Sequence, residues 1–302
     1  MASVVGCNDS HAARSPHRDP IDQLPVSGPD LAKLRIGISP GTGMESSAVR
    51  AMPLRDHLES ALRHPVELVA APSYDELIGF LERGSIDVAI LSPLTYVRAR
   101  RRLQVVPLAA ASSDGSPTYS GYLVVRNSSS LNTLADLRQT TIAWVDSTST
   151  SGYLYPRALL RYHGHDPDRF FGRVVFAGDH WSAIRMVARG EADVGAVASS
   201  FVDPGRTQRI AEADELRVVA KTARIPYDCV VVLDRVPRTF ARRLRASLLR
   251  LQSRPDVSAR LAATWGFSAF VTAYEHRYDA VAEVHQVEHD QTEGTTGSSA
   301  HP

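Results

Sequence analysis

The sequence predicts an α/β fold of two similar lobes, each a mostly parallel sheet flanked by helices, with a ligand cleft between them. Three observations predict it. Apolar runs of strand length alternate with amphipathic runs of helix length over most of the chain, the pattern of βαβ units. A spaced motif recurs as Arg83-Gly84-x-x-Asp87-Val88 and Arg189-Gly190-x-x-Asp193-Val194, each time where a helix gives way to an apolar strand. The third is a hydroxyl-dense turn, Asp146 to Tyr153, between the strand-like run Thr141 to Val145 and the helix-like run Tyr153 to His163. Helix starts carry unpaired N–H groups and a partial positive charge, which suit an oxyanion. One N-cap needs one hydroxyl, and this turn holds Ser147, Thr148, Ser149, Thr150 and Ser151.

The elements follow in order. Leu34 to Ile38 reads as a strand, Gly41-Thr42-Gly43 as a turn, and Ser46 to Arg63 as an amphipathic helix. Pro65 to Ala70 is a strand; Ser73 caps a helix that runs to Glu82 and ends at Gly84; Ile86 to Leu91 is a buried strand. After a loop from Ser112 to Tyr119, strands are expected at Gly121 to Val125, Thr141 to Val145, Gly172 to Ala177, Val194 to Ala198, Leu216 to Ala220 and Cys229 to Leu233. Helices are expected from about Thr150, from His180 to Ala188, from Pro237 to Gly266 and from Thr272 to about Val287. Residues 33–120 with 226–288 form one lobe and 121–225 the other, while 1–32 and 289–302 lack periodicity and read as a disordered spacer and tail. Superposing the two motif copies sets Tyr74 on His180, each at the start of its helix. The motif is also the form of an ordinary helix-to-strand turn, so the repeat is an expectation for the fold to test.

Composition bounds the function. With 34 Lys plus Arg against 33 Asp plus Glu the chain is near neutral, so bulk charge recruits neither nucleic acid nor an anionic membrane, and any anion is held locally. Two cysteines, Cys7 and Cys229, exclude a disulfide framework and a thiolate zinc site, and the scattered histidines show no metal-ligand spacing. No cofactor motif occurs. The opening Ser3-Val4-Val5-Gly6-Cys7 is similar to the end of a bacterial lipoprotein signal, although the charged and apolar regions of a whole signal are missing. An accidental Cys in a loose tail is the alternative. No apolar run reaches membrane-spanning length.

Polar and aromatic residues fall beside the predicted strand ends, where open α/β sheets bind ligands. They are Tyr74, Tyr96, Tyr119 and His180, with Ser149, Thr150 and Ser151 of the turn. Each has a structural alternative: Tyr96 as a core aromatic, Tyr119 as packing at the lobe crossing, His180 and Asp179 as cap partners.

The ordered segments Ser73-Tyr74-Asp75-Glu76-Leu77, Ser92-Pro93-Leu94-Thr95-Tyr96, Asp114-Gly115-Ser116-Pro117-Thr118-Tyr119, Ser149-Thr150-Ser151-Gly152-Tyr153, Gly178-Asp179-His180 and Ile225-Pro226-Tyr227-Asp228 carry a family likeness. Over about residues 34–270 the chain resembles the phosphate, phosphite and phosphonate binding proteins of ABC transporters, which are type 2 periplasmic binding proteins. The resemblance implies a monomeric two-lobe clamp at the outer side of the cell membrane that delivers a phosphorus oxyanion to a membrane permease. It implies that Ser149, Thr150 and Ser151 hold the oxygens while Tyr74, Tyr96, Tyr119 and His180 complete a cage of neutral donors without Arg or Lys. His180 would then make binding pH-dependent near its usual value of ~6.5. Two departures stand out: Trp181 occupies a position where the family has a small or acidic residue, and Ser199-Ser200 follows its strand without an acid. Asp228 is then the one carboxylate placed for an ammonium group, which favours a ligand lacking an amine. Two other classes stay open to the residues: a ligand sensor feeding a signalling partner, and a hydrolase with Ser149 or Ser151 as nucleophile and His180 as base. The hydrolase lacks the G-x-S-x-G elbow and an acid to orient the histidine.

Overall fold

The computed structural model describes residues 19–28, 31–39, 44–113, 115–204 and 210–296. The expectations for Cys7, for the turn Gly41-Thr42-Gly43 and for Asp114 lie outside these residues. One sheet collects β1 (Leu34–Ile38), β2 (Val66–Ala70), β3 (Val88–Leu91), β4 (Val105–Ser112), β10 (Cys229–Leu233) and β11 (Ala269–Thr272), in the order β11-β4-β10-β3-β1-β2. The other collects β5 (Thr118–Arg126), β6 (Thr141–Trp144), β7 (Arg173–Phe176), β8 (Val194–Ala198) and β9 (Leu216–Pro226), in the order β7-β6-β8-β5-β9. Nine α-helices are described: α1 (Met44–Leu62), α2 (Tyr74–Glu82), α3 (Pro93–Arg102), α4 (Tyr155–Tyr162), α5 (Pro167–Phe170), α6 (His180–Ala188), α7 (Arg238–Leu249), α8 (Pro255–Trp265) and α9 (Asp279–Thr296). The two-lobe α/β fold is present, with mixed rather than mostly parallel strand directions. β1 runs parallel to β2 and β3, whereas β10 is antiparallel to β3 and β4.

The repeated motif does the same work in both lobes. Gly84 and Gly190 end α2 and α6 with φ of +65° and +78°, a region that favours glycine. Asp87 then accepts the backbone N–H of Arg35 at 3.0 Å, and Asp193 accepts that of Thr141 at 2.9 Å, so each carboxylate ties the strand it precedes, β3 or β8, to its parallel neighbour, β1 or β6. An arginine backs each turn: Arg235 donates to the carbonyls of Gly84 and Ile86, and Arg126 to that of Val187. Strand directions match as well, since β10-β3-β1-β2 and β5-β8-β6-β7 share order and sense.

Several expectations change. The spacer does not extend to residue 32, because a short helical turn at Pro20–Gln23 buries Ile21 and Leu24 in the first lobe and Asp19 pairs with Arg245. Burial of those two side chains outweighs the polar composition around them. β4 carries no alternation and contains Pro107, yet it is an inner strand. The irregular register between Val230 and Val231 on β10 falls opposite it, where a residue without an N–H is tolerated. The predicted helix from Pro237 to Gly266 divides into α7 and α8 at Arg254-Pro255, since the residue before proline avoids helical geometry. The tail is helical through Thr296, and α9 begins at Asp279 rather than Thr272.

α9 joins the lobes. Arg100 and Arg101 of α3 reach Asp279 and Gln286, while Arg157 and Arg161 of α4 both donate to Glu288, at 3.0 and 2.6 Å. Arg157 is 5% exposed and Glu288 7% exposed, and the other arm of Arg157 is held bidentately by Asp168. Breaking a buried, hydrogen-bonded ion pair from one side leaves the other charge uncompensated. Glu288→Ala is expected to lower the unfolding free energy by about 2–3 kcal/mol in urea melts. Asp56→Asn, which removes an exposed pair with neighbouring Arg55, is expected to change it by less than about 0.5 kcal/mol.

Candidate functional site

Four helix starts meet between the lobes, each capped by a side chain that takes the N–H three residues on. Ser73 caps α2, Ser92 caps α3, Ser149 caps a wide helical turn at Thr150–Leu154 that leads into α4, and Asp179 caps α6. The cap satisfies one N–H and leaves others directed past the helix end. These starts open on a cavity of about 180 Å³ lined by Tyr74, Ser92, Tyr119, Ser149, Thr150, Ser151, Asp179, His180 and Asp228 among others.

The hydroxyl turn is fixed by close approach. A Cβ on Gly152 would meet Val145 Cγ2 at 2.5 Å, and one on Gly121 would meet the Ser151 carbonyl oxygen at 2.7 Å, so the turn lies directly on β5 only because both are glycine. Ser149 Oγ accepts from Gly152 N–H at 3.0 Å. Thr150 Oγ1 accepts from Leu94 N–H at 3.0 Å, a bond from one lobe to the start of α3 in the other. Ser151, 2% exposed, is hydrogen-bonded with the Tyr119 hydroxyl. A hydroxyl that accepts retains its own proton to donate, so Ser149 and Thr150 keep that capacity while buried. Asp146 takes both the N–H and the hydroxyl of Thr148, which withdraws that residue from the cavity set.

Burial sets the protonation states. His180 Nδ1 accepts the N–H of Ala198 at 3.2 Å, which puts the ring proton on Nε2, and the ring stacks on Phe201 at 4.6 Å. Burial lowers its pKa to about 4, with Asp179 opposing weakly. The expected titration near 6.5 is therefore corrected: His180 is a neutral donor at physiological pH. Burial raises Asp228 to about 7, and its side chain has no hydrogen-bond or ion-pair partner among the described residues. Burial also raises Tyr74 and Tyr119, with the charge of Asp228 the next cause in each, so that carboxylate stands at the phenol end of the cavity.

Seven of the eight expected side chains line the cavity and Tyr96 does not. It is 0% exposed, packed edge-on against Tyr278 at 4.7 Å in the first lobe's core. It lies at the fourth residue of α3, a position that turns inward while Ser92 and Leu94 N–H face the other lobe. Sequence reasoning missed Arg50, Ser39, Trp181 as a wall, Phe201, Tyr227, Trp265 and Phe267. Arg50 corrects the expectation of a cage without Arg or Lys: its guanidinium lies 3.9 Å over the Trp181 ring, across the lobes, and feels the charge of Asp179. No sequence signal marks it, because it is one arginine among many on an amphipathic helix. Among the described residues no cluster of three His, Cys, Asp or Glu could hold a metal. No described helix is long and apolar enough to cross a membrane.

The two titrating groups bias stability in opposite directions. Asp228 has a raised folded pKa, so its contribution is fully present below about 3.8 and is lost as pH rises towards 7. His180 has a depressed one, so its contribution is present above 6.5 and is lost as pH falls towards 4. Asp228→Asn removes the first and leaves the second. The stability of wild type relative to the variant is expected to increase as pH falls from 7.5 to 4.5 in urea melts.

Comparison with known proteins places this geometry. Residues 36–278 match the family model for the ABC transporter, phosphonate, periplasmic substrate-binding protein. The phosphate-import protein PhnD of Mycolicibacterium smegmatis is 32% identical over 161 residues, 50% of each chain. The phosphonates-binding periplasmic protein of Escherichia coli is 28% identical over 203 residues, 66% of this chain and 60% of that one. The matched stretches thus span about half to three fifths of those relatives. Among solved structures, the Prochlorococcus marinus PhnD protein in complex with methylphosphonate superposes with a TM-score of 0.76 at 18% identity, covering 85% of this chain and 98% of that one. A binding protein component of a Pseudomonas aeruginosa phosphonate transporter gives 0.75 at 20% identity, covering 85% and 86%. At these identities the superpositions show the fold, and the family match over most of the chain carries the assignment: the chain belongs to the periplasmic substrate-binding proteins of phosphonate ABC transporters.

Proposed function

We propose that the chain binds a phosphorus oxyanion, either phosphonate, phosphite or phosphate, by closure of its two lobes and delivers it as a monomer to an ABC permease. The observation that carries this reading is the convergence of four capped helix starts on one cavity that also holds Ser149, Thr150, Ser151, Tyr74, Tyr119 and His180. Backbone N–H groups, hydroxyl protons and the His180 Nε2–H supply donors around a tetrahedral anion, and the helix dipoles favour its charge. Contacts that cross the lobes, Thr150 with Leu94 and Arg50 with Trp181, support closure as the binding step. Asp228 supplies selection. When ionised, that carboxylate accepts only from a ligand that carries a proton, and a protonated phosphate, phosphite or phosphonate offers a P–OH where sulfate offers none.

Catalysis by a serine and His180 is disfavoured by the tautomer. A base for Ser149 or Ser151 needs a free ring nitrogen towards the hydroxyl and an acid on the other side. Here Nδ1 is engaged by Ala198 and Nε2 holds the proton, while the lowered pKa makes a weak base. Lipid attachment through Cys7, after Ser3-Val4-Val5-Gly6, belongs to the same reading and would hold the protein at the outer face of the membrane. Mass spectrometry of the membrane fraction is expected to find a diacylglyceryl adduct at Cys7.

Calorimetry with phosphate, phosphite and methylphosphonate is expected to give saturable one-site binding to at least one, with sulfate bound at least tenfold more weakly. Tyr119→Phe removes a hydroxyl beside the site and is expected to reduce affinity about 10–100-fold, the range for one hydrogen bond to a charged group. Absence of binding to every phosphorus oxyanion would overturn the reading.

A further inference from the structure

The cavity is larger and more aromatic than a bare oxyanion requires. It holds about 180 Å³, where ~10–15 Å³ of such space admits one water, so a five-atom anion leaves most of it unfilled. The unfilled part is bounded by rings. Phe201 is sandwiched at one wall between His180, stacked at 4.6 Å, and Trp181, edge-on at 4.9 Å. In the facing lobe Trp265 and Phe267 stand 5.4 Å apart at the end of α8, where Gly266 turns the chain with φ of +73°. All four of Trp181, Phe201, Trp265 and Phe267 line the cavity. Arg50 covers one face of Trp181 and so fixes that ring's orientation.

The chemistry of the two ends differs. Ring faces carry negative potential and no donors, so they repel an oxyanion and attract an apolar or aromatic group. Asp228 directly follows Tyr227, whose ring lies 4.9 Å from that of Tyr119, so that carboxylate stands beside the phenols that line the cavity with the hydroxyl turn. Among the described lining residues the other carboxylate is Asp179, which accepts the N–H and hydroxyl of Ser182.

We propose that the ligand is an organophosphonate bearing an aromatic substituent, with its phosphonate at the hydroxyl turn and its ring between Trp181-Phe201 and Trp265-Phe267. This rests on the oxyanion reading above and narrows its substrate class. The preference for an aryl over a methyl group comes from the apolar area removed from water and from edge-to-face ring contacts.

Calorimetry on the full chain with methylphosphonate, phenylphosphonate and benzylphosphonate tests it. At least one aryl ligand is expected to bind tenfold or more tightly than methylphosphonate. In Phe201→Leu and Trp265→Leu that ratio is expected to fall at least threefold; because the ratio is taken within each protein, a general loss of folded protein moves both ligands alike. Methylphosphonate binding as tightly as both aryl ligands, or an unchanged ratio in both variants, overturns the aryl proposal while the oxyanion reading stands. Failure of every phosphonate and of phosphate to bind overturns both.

Discussion

The structure depends on unsatisfied N–H groups at helix starts. A helix leaves its first N–H groups without carbonyl partners, and a cap side chain can take one of them. In this chain Ser73, Ser92, Ser149 and Asp179 each take the third, and residues at all four starts line one cavity. One of them, Leu94 N–H, is already taken by Thr150 from the other lobe. The same unmet donors thus serve as the wall of the cavity and as the contact between the lobes.

What brings four helix starts to one place is the duplicated carboxylate turn. Asp87 and Asp193 draw β3 onto β1 and β8 onto β6 through a backbone bond, with Gly84 and Gly190 turning the chain just before. Two copies of one device give two sheets of the same order, whose strands end on the same cleft. Chain crossings at Tyr119 and Tyr227, whose rings lie 4.9 Å apart, set Asp228 at the joint between them. Its burial follows from that location, and burial in turn holds its carboxyl near neutrality.

α9 adds a constraint from outside the cleft. It packs on α3 in one lobe and α4 in the other, and Glu288 binds two arginines of the helix that continues the hydroxyl turn. Any separation of the lobes must carry α9 with one of them or break the contacts it makes to the other.

The sequence by itself determined the two-lobe α/β plan, because periodicity and the repeated Arg-Gly-x-x-Asp-Val turn are local. It also determined most of the polar cavity, since hydroxyls and phenols at strand ends and helix starts are placed by local rules. Tertiary structure alone decided the rest. Tyr96 turned into the core because its position on α3 faces Tyr278, a neighbour far away in the chain. Arg50 entered the cavity because α1 and α6 approach across the lobes. Trp265 and Phe267 became walls because α8 ends at the cleft, and His180 lost its charge because Phe201 and Ala198 bury and bond its ring. Each of these rests on contacts between residues distant in sequence, and a pattern read along one chain does not carry them.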